Sequence, residues 1–257
     1  MILLADFPNL TDPGVLTALL TLTVLEIILG VDNIIFISIV SNKLPQQQQP
    51  KARTLGLLLA MIFRILLLLT ITWIIKLTQP LFTIGFIKDD GLPIGISWKD
   101  IILIAGGIFL IFKSTLEVHH KLEVARKPES TFSPSAFGAV IVQIVLVDAI
   151  FSFDSILTAI GLVDNVIIMI GAVIISMLIM IFFSGAISRF INKHATLQIL
   201  ALAFLIMIGM MLVAQGFHQH INKSYLYTAI AFSLIVELIN MKLRKNREQV
   251  GLNNKEL

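Results

Sequence analysis

Four acidic side chains lie within long apolar segments of the sequence. Glu26 and Asp32 belong to the segment LEIILGVDNIIF, and Asp148 and Asp154 belong to LVDAIFSFDSIL. A charge at the centre of a membrane span costs about 2.5–3.5 kcal/mol, so such residues normally face a protein partner, a wet cavity or a bound ion. The four acids are therefore the first candidates for a functional site.

The spacing of these acids repeats along the chain. Adding 122 to positions 26 and 32 gives 148 and 154, and the same shift carries Asn33 onto Ser155. Few other identities link the two segments, so the repeat resides in the polar positions. A span running inward and its repeat running outward would form inverted repeats, with a transport site between them near the middle of the membrane.

The candidate ligands are all oxygen donors. Carboxylate, amide and hydroxyl oxygens suit Mn²⁺, Mg²⁺ and Ca²⁺, whereas Zn²⁺ and Cu²⁺ favour His and Cys. The chain has no cysteine, and no histidine falls within a predicted span. We predict a site for a hard divalent cation, bound as substrate with no permanent cofactor. Its ligands would be Glu26, Asp32, Asn33, Asp148, Asp154 and Ser155.

Helix geometry limits how these ligands can meet. Residues six apart lie about 240° around and about 9 Å along a helix, so both acids of one span reach a small site only if the helix breaks. The polar stretches GVDN and SFDS are where a break would help. In an unbroken helix, Glu26 would share a face with Asn33, and Asp148 with Ser155.

Arg64 lies near the centre of the second predicted span, and we expect it to pair with one of the four acids. It could hold the ion-free site together and move away when an ion binds. The alternative is a permanent structural salt bridge. If the four acids were purely structural, Arg64 alone could not neutralise all four carboxylates, and the remaining ones would have to be protonated.

The composition indicates that much of the protein surface is in contact with the lipid bilayer. Of 257 residues, 57% are hydrophobic and 14% are charged, with a mean hydropathy of +0.94. Soluble domains carry roughly 25% charged residues. An all-α, polytopic membrane bundle follows, with seven spans near 13–41, 54–77, 98–116, 136–161, 166–188, 197–216 and 224–241.

Basic residues predict the orientation. They concentrate in the loops after spans 1, 3 and 5 and in the C-terminal tail, which places the N-terminus outside and the C-terminus in the cytoplasm. This gives a multi-pass protein of the cell inner (plasma) membrane. The net charge of +3 is accounted for by this distribution, so no nucleic-acid partner is expected.

The chain is expected to form a single transmembrane domain. Its parts are repeat one (about 13–116), a cytoplasmic linker (about 117–135), repeat two (about 136–216) and a seventh span (about 224–241). The long first span suggests a tilted or broken helix. Segment 78–97 contains Pro and Gly residues that predict a surface loop or a re-entrant turn.

Three segments resemble a known family. LEIILGVDNIIF, VDAIFSFDSILTAIGL and SYLYTAIAFSLIVELIN are similar to the signature stretches of the TerC family of integral membrane proteins, named for tellurium resistance. The resemblance covers nearly the whole chain, and the family is similar in architecture to the LysE superfamily of exporters. It implies a seven-span inverted-repeat fold, manganese export and metal homeostasis. By position, the family's acidic site falls on Glu26, Asp32, Asp148 and Asp154, with Asn33 and Ser155 beside them.

The leading functional hypothesis is a secondary transporter whose halves rock around the acids, with protons exchanging for the cation. Tellurite is an oxyanion and suits four acids poorly, so the tellurium name is interpreted as a phenotype. A scaffold or assembly factor without ion flux is the alternative. A membrane enzyme with an Asp dyad is a weaker rival, and no enzymatic activity is expected. His218 and His220 form a possible metal contact or an ordinary solvated loop.

Overall fold

The apolar segments of the chain form seven long helices. A computed structural model describes residues 11–70, 75–89, 92–122, 134–163, 165–219 and 221–253. Each helix is long and apolar enough to cross a membrane, which confirms the predicted helical membrane bundle. The helices are α1 Pro13–Ser41, α2 Gln49–Leu69, α3 Trp98–Leu122, α4 Pro134–Ile160, α5 Val166–Lys193, α6 Ala195–Gly216 and α7 Lys223–Asn253.

The backbone of α1 is helical without interruption for 29 residues. It starts at a defined cap, where the Asp12 carboxylate accepts a hydrogen bond of 2.9 Å from the Gly14 amide and Pro13 occupies the first turn. The α4 backbone is also continuous through its acid segment. The helices are therefore not broken at GVDN or SFDS. Glu26 shares a helix face with Asn33, and Asp148 shares one with Ser155, as expected for unbroken helices.

Segment 78–97 has a different secondary structure from the one predicted. It contains an antiparallel hairpin of β1 Pro80–Asp89 and β2 Leu92–Ser97. The expected loop or re-entrant turn was wrong because two stretches rich in β-branched and aromatic residues pair and satisfy their backbone groups. Pairing runs from Pro80 opposite Ser97 to Asp89 opposite Leu92, with irregular register between.

Several helix ends also differ from the expected spans. Helix α3 continues to Leu122, so it occupies the first part of the predicted linker, and residues 123–133 lie outside the described residues. Helix α2 ends at Leu69, before the expected boundary at 77. Helix α7 extends to Asn253, beyond the apolar part of the segment. Charged flanks can continue a helix past the lipid, which hydropathy alone does not detect.

Helix packing relates the first three helices to the next three. Helix α1 packs against α5, α2 packs against α4, and α3 packs against α6. If α1, α2 and α3 are exchanged with α4, α5 and α6, respectively, the α1–α5 pair becomes the α4–α2 pair, and the α3–α6 pair is unchanged. This arrangement is what inverted repeats require, although the repeat itself stays a prediction. Helix α7 packs chiefly against α6 at the periphery.

The α3–α6 contact depends on two glycines facing each other. A Cβ atom on Gly107 would lie 2.5 Å from the Gly209 carbonyl oxygen, and one on Gly209 would lie 2.8 Å from the Gly107 carbonyl oxygen. Both distances are too short for real atoms. In membranes, small residues at such crossings let helix backbones approach closely and gain dispersion contacts.

Replacing Gly107 with Ala should therefore destabilise the protein. The added methyl group meets backbone that cannot move aside, and overpacking of this kind costs about 1–3 kcal/mol. The matched control is Gly138→Ala on α4, where a Cβ atom meets nothing within 4 Å. Thermal unfolding in detergent should show a lower midpoint for Gly107→Ala and an unchanged or higher midpoint for Gly138→Ala. Equal midpoints would contradict the close crossing.

Candidate functional site

Arg64 joins two of the acids at the centre of the bundle. Its Nη1 atom donates to Glu26 Oε2 at 2.5 Å, while Nε and Nη2 donate to Asp148 Oδ2 and Oδ1 at 3.0 and 2.7 Å. The guanidinium group thus grips Asp148 with two parallel bonds, a geometry that lysine cannot reproduce. One of the four acids was expected to pair with Arg64, and the structure brings two to it.

Each of the two acids also receives a polar group from the opposite helix. Asn33 of α1 donates through Nδ2 to Asp148 Oδ1 of α4 at 3.0 Å. Ser155 of α4 in turn lies close enough to interact with the Glu26 carboxylate of α1, and its hydroxyl donates to the Ser152 backbone oxygen at 3.3 Å. Asn33 and Ser155 lie seven residues after Glu26 and Asp148, respectively, so each helix presents its acid and its neutral ligand on one face. The contacts therefore cross between α1 and α4.

Ser152 fixes the Asp148 side chain from one turn further along α4. Its hydroxyl lies 3.1 Å from Asp148 Oδ2 and 2.5 Å from the Asp148 backbone oxygen. Asp148 Oδ2 is therefore held between Ser152 and Arg64. The shift of 122 residues carries Gly30 onto Ser152, and Ser152 is not among the predicted site residues. The i, i+4 spacing from Asp148 is the signal that could have identified it.

The site is almost closed to solvent. Exposed fractions are 4% for Glu26, 2% for Asp148 and 3% for Arg64. With both carboxylates ionised, the group carries one net negative charge. Buried charges of this kind are stable only when paired and hydrogen-bonded.

A small pocket lies beside this ion pair. Its volume is about 50 Å³, and its polar lining comes from Asn33, Arg64, Ser155 and Tyr227. Apolar side chains of α1, α4, α6 and the beginning of α7, including Leu212 and Leu226, close the rest. A water molecule needs about 10–15 Å³ measured in this way, so a few waters or one partly hydrated ion would fit.

One oxygen beside the pocket has no donor. Asn33 Oδ1 is buried and has no hydrogen-bond partner within the described part of the chain. A buried acceptor without a partner is costly, and a cation or an ordered water would relieve it. Because Asn33 Nδ2 donates to Asp148, the other atom of the amide group must be the oxygen. This oxygen is free to accept a hydrogen bond or to bind a cation.

The side chains of Asp32 and Asp154 lie outside the described residues, although the backbone at both positions is helical. Their metal-ligating role stays a prediction. Among the described side chains, no three His, Asp or Glu residues form a metal cluster. The structure therefore brings together four of the six predicted ligands: Glu26, Asn33, Asp148 and Ser155.

Comparison with known proteins decides the family. The model of the integral membrane protein TerC family matches residues 11–250. The chain belongs to the TerC family. Among its relatives is the UPF0053 inner membrane protein YoaE of Escherichia coli (strain K12), 47% identical over 239 residues, which are 92% of this chain and 45% of YoaE.

Two other relatives differ in length. The UPF0053 protein YegH of the same strain is 44% identical over 241 residues, 93% of this chain and 44% of YegH. The UPF0053 inner membrane protein YgdQ is 46% identical over 235 residues, 91% of this chain and 96% of YgdQ. This TerC chain thus spans less than half the length of YoaE and YegH. It is a multi-pass inner membrane protein, and no solved structure matches it.

The TerC chain has a second polar contact that the sequence analysis missed. His218 Nε2, just beyond α6, lies 3.2 Å from Asp100 Oδ2 in the first turn of α3. Asp100 also accepts from the Ser97 amide at 2.8 Å and from its hydroxyl at 2.6 Å. Ser97 and Asp100 form a capping box, which the S-x-x-D spacing indicates. His220 lies outside the described residues.

The contacts at the site predict unequal effects of neutralising its two acids. Asp148→Asn loses the two-bond pairing with Arg64 and places amide donors against the donors of Arg64 and Asn33, and breaking a buried pair costs about 3–5 kcal/mol. Glu26→Gln removes a single Arg64 contact and should cost less. In metal-free detergent solution, the unfolding midpoint should fall further for Asp148→Asn. A larger fall for Glu26→Gln would contradict the asymmetric pairing.

Proposed function

We propose that this TerC protein is a secondary transporter that exports a hard divalent cation, with Mn²⁺ as the substrate. The observation that carries the proposal is the meeting of Glu26 and Asp148 at one buried arginine, beside a pocket with an unsatisfied amide oxygen. Ionisable residues within a membrane mark ion pathways, because a purely structural role is served more cheaply by apolar packing.

Charge balance gives Arg64 a role in the cycle. Glu26 and Asp148 together carry two negative charges, which match one divalent cation once Arg64 has moved away and while Asp32 and Asp154 are protonated. With no cation bound, Arg64 supplies positive charge and prevents the two carboxylates from repelling each other. Cation and arginine then compete for the same oxygens. This favours the movable-arginine hypothesis over the permanent salt bridge.

The remaining ligands would come from groups already beside the acids. Asn33 Oδ1 and the Ser155 hydroxyl line the pocket, and Asp32 and Asp154 remain predicted ligands. An all-oxygen set suits Mn²⁺, Ca²⁺ and Mg²⁺. The preference for Mn²⁺ and the outward direction of transport rest on the family resemblance.

Transport would proceed by rocking of α1–α3 against α4–α6. The central contacts cross between α1 and α4, so a relative movement of these helices would loosen or tighten both halves of the site together. Protons would occupy the carboxylates during the return step, which gives cation/proton exchange. The N-terminus would lie outside and the C-terminus in the cytoplasm.

Purified protein in liposomes provides the test of the substrate and site. Parent protein should move Mn²⁺ across the liposome membrane, followed by a manganese-sensitive dye. Glu26→Gln, Asp148→Asn, Asp32→Asn and Asp154→Asn should each reduce the initial rate by at least about tenfold, because loss of ligand contacts weakens metal binding to this extent.

The control for this test is Glu117→Gln, which removes an acid on α3 that pairs with Lys43 at the end of the bundle. It should transport at the parent rate. Parental rates in all four site variants would show that the assigned acids do not carry the ion. Absence of flux from the folded parent protein would favour the assembly-factor alternative, particularly with a stoichiometric partner.

Proton exchange makes a separate prediction about pH. Protons compete with Mn²⁺ for the carboxylates, so acidifying the side from which Mn²⁺ enters should slow transport, whereas acidifying the opposite side should speed it. A pH dye inside the liposomes should report proton movement opposite to Mn²⁺. Mn²⁺ flux with no proton movement, and with no effect of either gradient, would exclude exchange with protons.

A further inference from the structure

Arg53 is a buried cation outside the central site. It lies in the first turns of α2 with only 7% of its surface exposed. Its Nη1 atom donates to the Ser188 hydroxyl of α5 at 3.1 Å. Its Nε atom is buried and has no hydrogen-bond partner among the described residues. The guanidinium group is thus only partly satisfied.

Ser188 cannot balance this charge. The same hydroxyl oxygen receives the Ser38 hydroxyl at 2.8 Å and the Asn192 amide at 3.4 Å. It is a neutral group shared among three donors. A buried charge needs an opposite charge as well as hydrogen bonds, and without one the cost is several kcal/mol.

The described surroundings of Arg53 supply positive charge instead. No described carboxylate forms an ion pair with Arg53. Arg189 is an exposed residue of α5 that directly follows Ser188, the hydrogen-bond partner of Arg53, and its positive charge acts unfavourably on Arg53. The first turn of α2 also contains no acidic side chain. The C-terminus of α5 contributes a partial negative charge here, but it stabilises a cation by less than a buried unpaired charge costs. Two arginines and the N-terminus of α2 therefore leave an excess of positive charge in one region, a combination that attracts anions.

Membrane topology does not account for this arrangement. The positive-inside rule requires basic residues near one surface of the membrane, and exposed ones such as Lys51 meet that requirement. It gives no reason to bury a guanidinium group or to set a second arginine beside it. A bound anion explains both features.

We propose that the region where α2 begins and α5 ends binds a phosphate group, with Arg53 as the buried contact and Arg189 as the exposed one. The planar guanidinium group matches phosphate oxygens in geometry and charge. The phosphate would belong to the headgroup of an anionic phospholipid or to free phosphate. This site is separate from the carboxylates and does not depend on the proposed transport of Mn²⁺.

Native mass spectrometry of the detergent-purified full chain, titrated with phosphatidylglycerol, tests the proposal. Arg53→Gln and Arg189→Gln should each weaken lipid retention by about tenfold, the effect of losing charge-assisted hydrogen bonds. The matched control is Lys51→Gln, which removes the same charge from an exposed position two residues before Arg53 and should retain lipid as the parent does.

A parallel thermal-unfolding titration with inorganic phosphate identifies the source of the group. A stabilising shift that is lost in Arg189→Gln assigns the site to free phosphate, and lipid retention without this shift assigns it to the headgroup. If Arg53→Gln does not fold, Arg189→Gln decides, because its side chain is exposed. Parental binding of both ligands by Arg189→Gln, or no binding by the parent, would overturn the proposal.

Discussion

The buried ion pair of Arg64 with Glu26 and Asp148 is the interaction on which the centre of this protein depends. None of the three groups could remain charged alone at this depth, because transfer of an unpaired ion from water into an apolar interior is prohibitive. Each therefore fixes the others, and through them α1, α2 and α4 are joined at one point. Removing Arg64 would leave two buried carboxylates without a counter-charge, whereas removing one acid would leave a single one-to-one ion pair. Stability and function are therefore linked most closely at Arg64.

Unbroken helices make that pairing possible. Because α1 and α4 are unbroken, residues seven apart share a face, and the face of one helix supplies an acid and a neutral ligand to the other. The result is a reciprocal arrangement in which Asn33 reaches Asp148 and Ser155 reaches Glu26. Close packing also joins α3 to α6, at Gly107 and Gly209.

Much of this could be predicted from local signals in the sequence. Long apolar runs predicted the seven helices, and the common shift of 122 residues singled out the acids and their neutral companions. The hairpin at 78–97 does not follow from its Pro and Gly residues, which indicate a loop, whereas the strand-forming residues between them favour paired strands. The contact of Asp100 with His218 joins positions 118 residues apart, and no periodic pattern reports such a contact. That Arg64 binds two acids likewise depends on how three helices approach one another.

The links within the two halves have a mechanical consequence. A single residue, His194, separates α5 from α6, whereas the β1–β2 hairpin belongs to the connection between α2 and α3. A connection of one residue keeps the end of α5 and the start of α6 close together, so a large displacement of one helix must move the other. The longer connection between α2 and α3 allows these two helices to move relative to each other. In the proposed rocking of the two halves, α5 and α6 would therefore move together, whereas α2, which carries Arg64, could also adjust its position relative to α3.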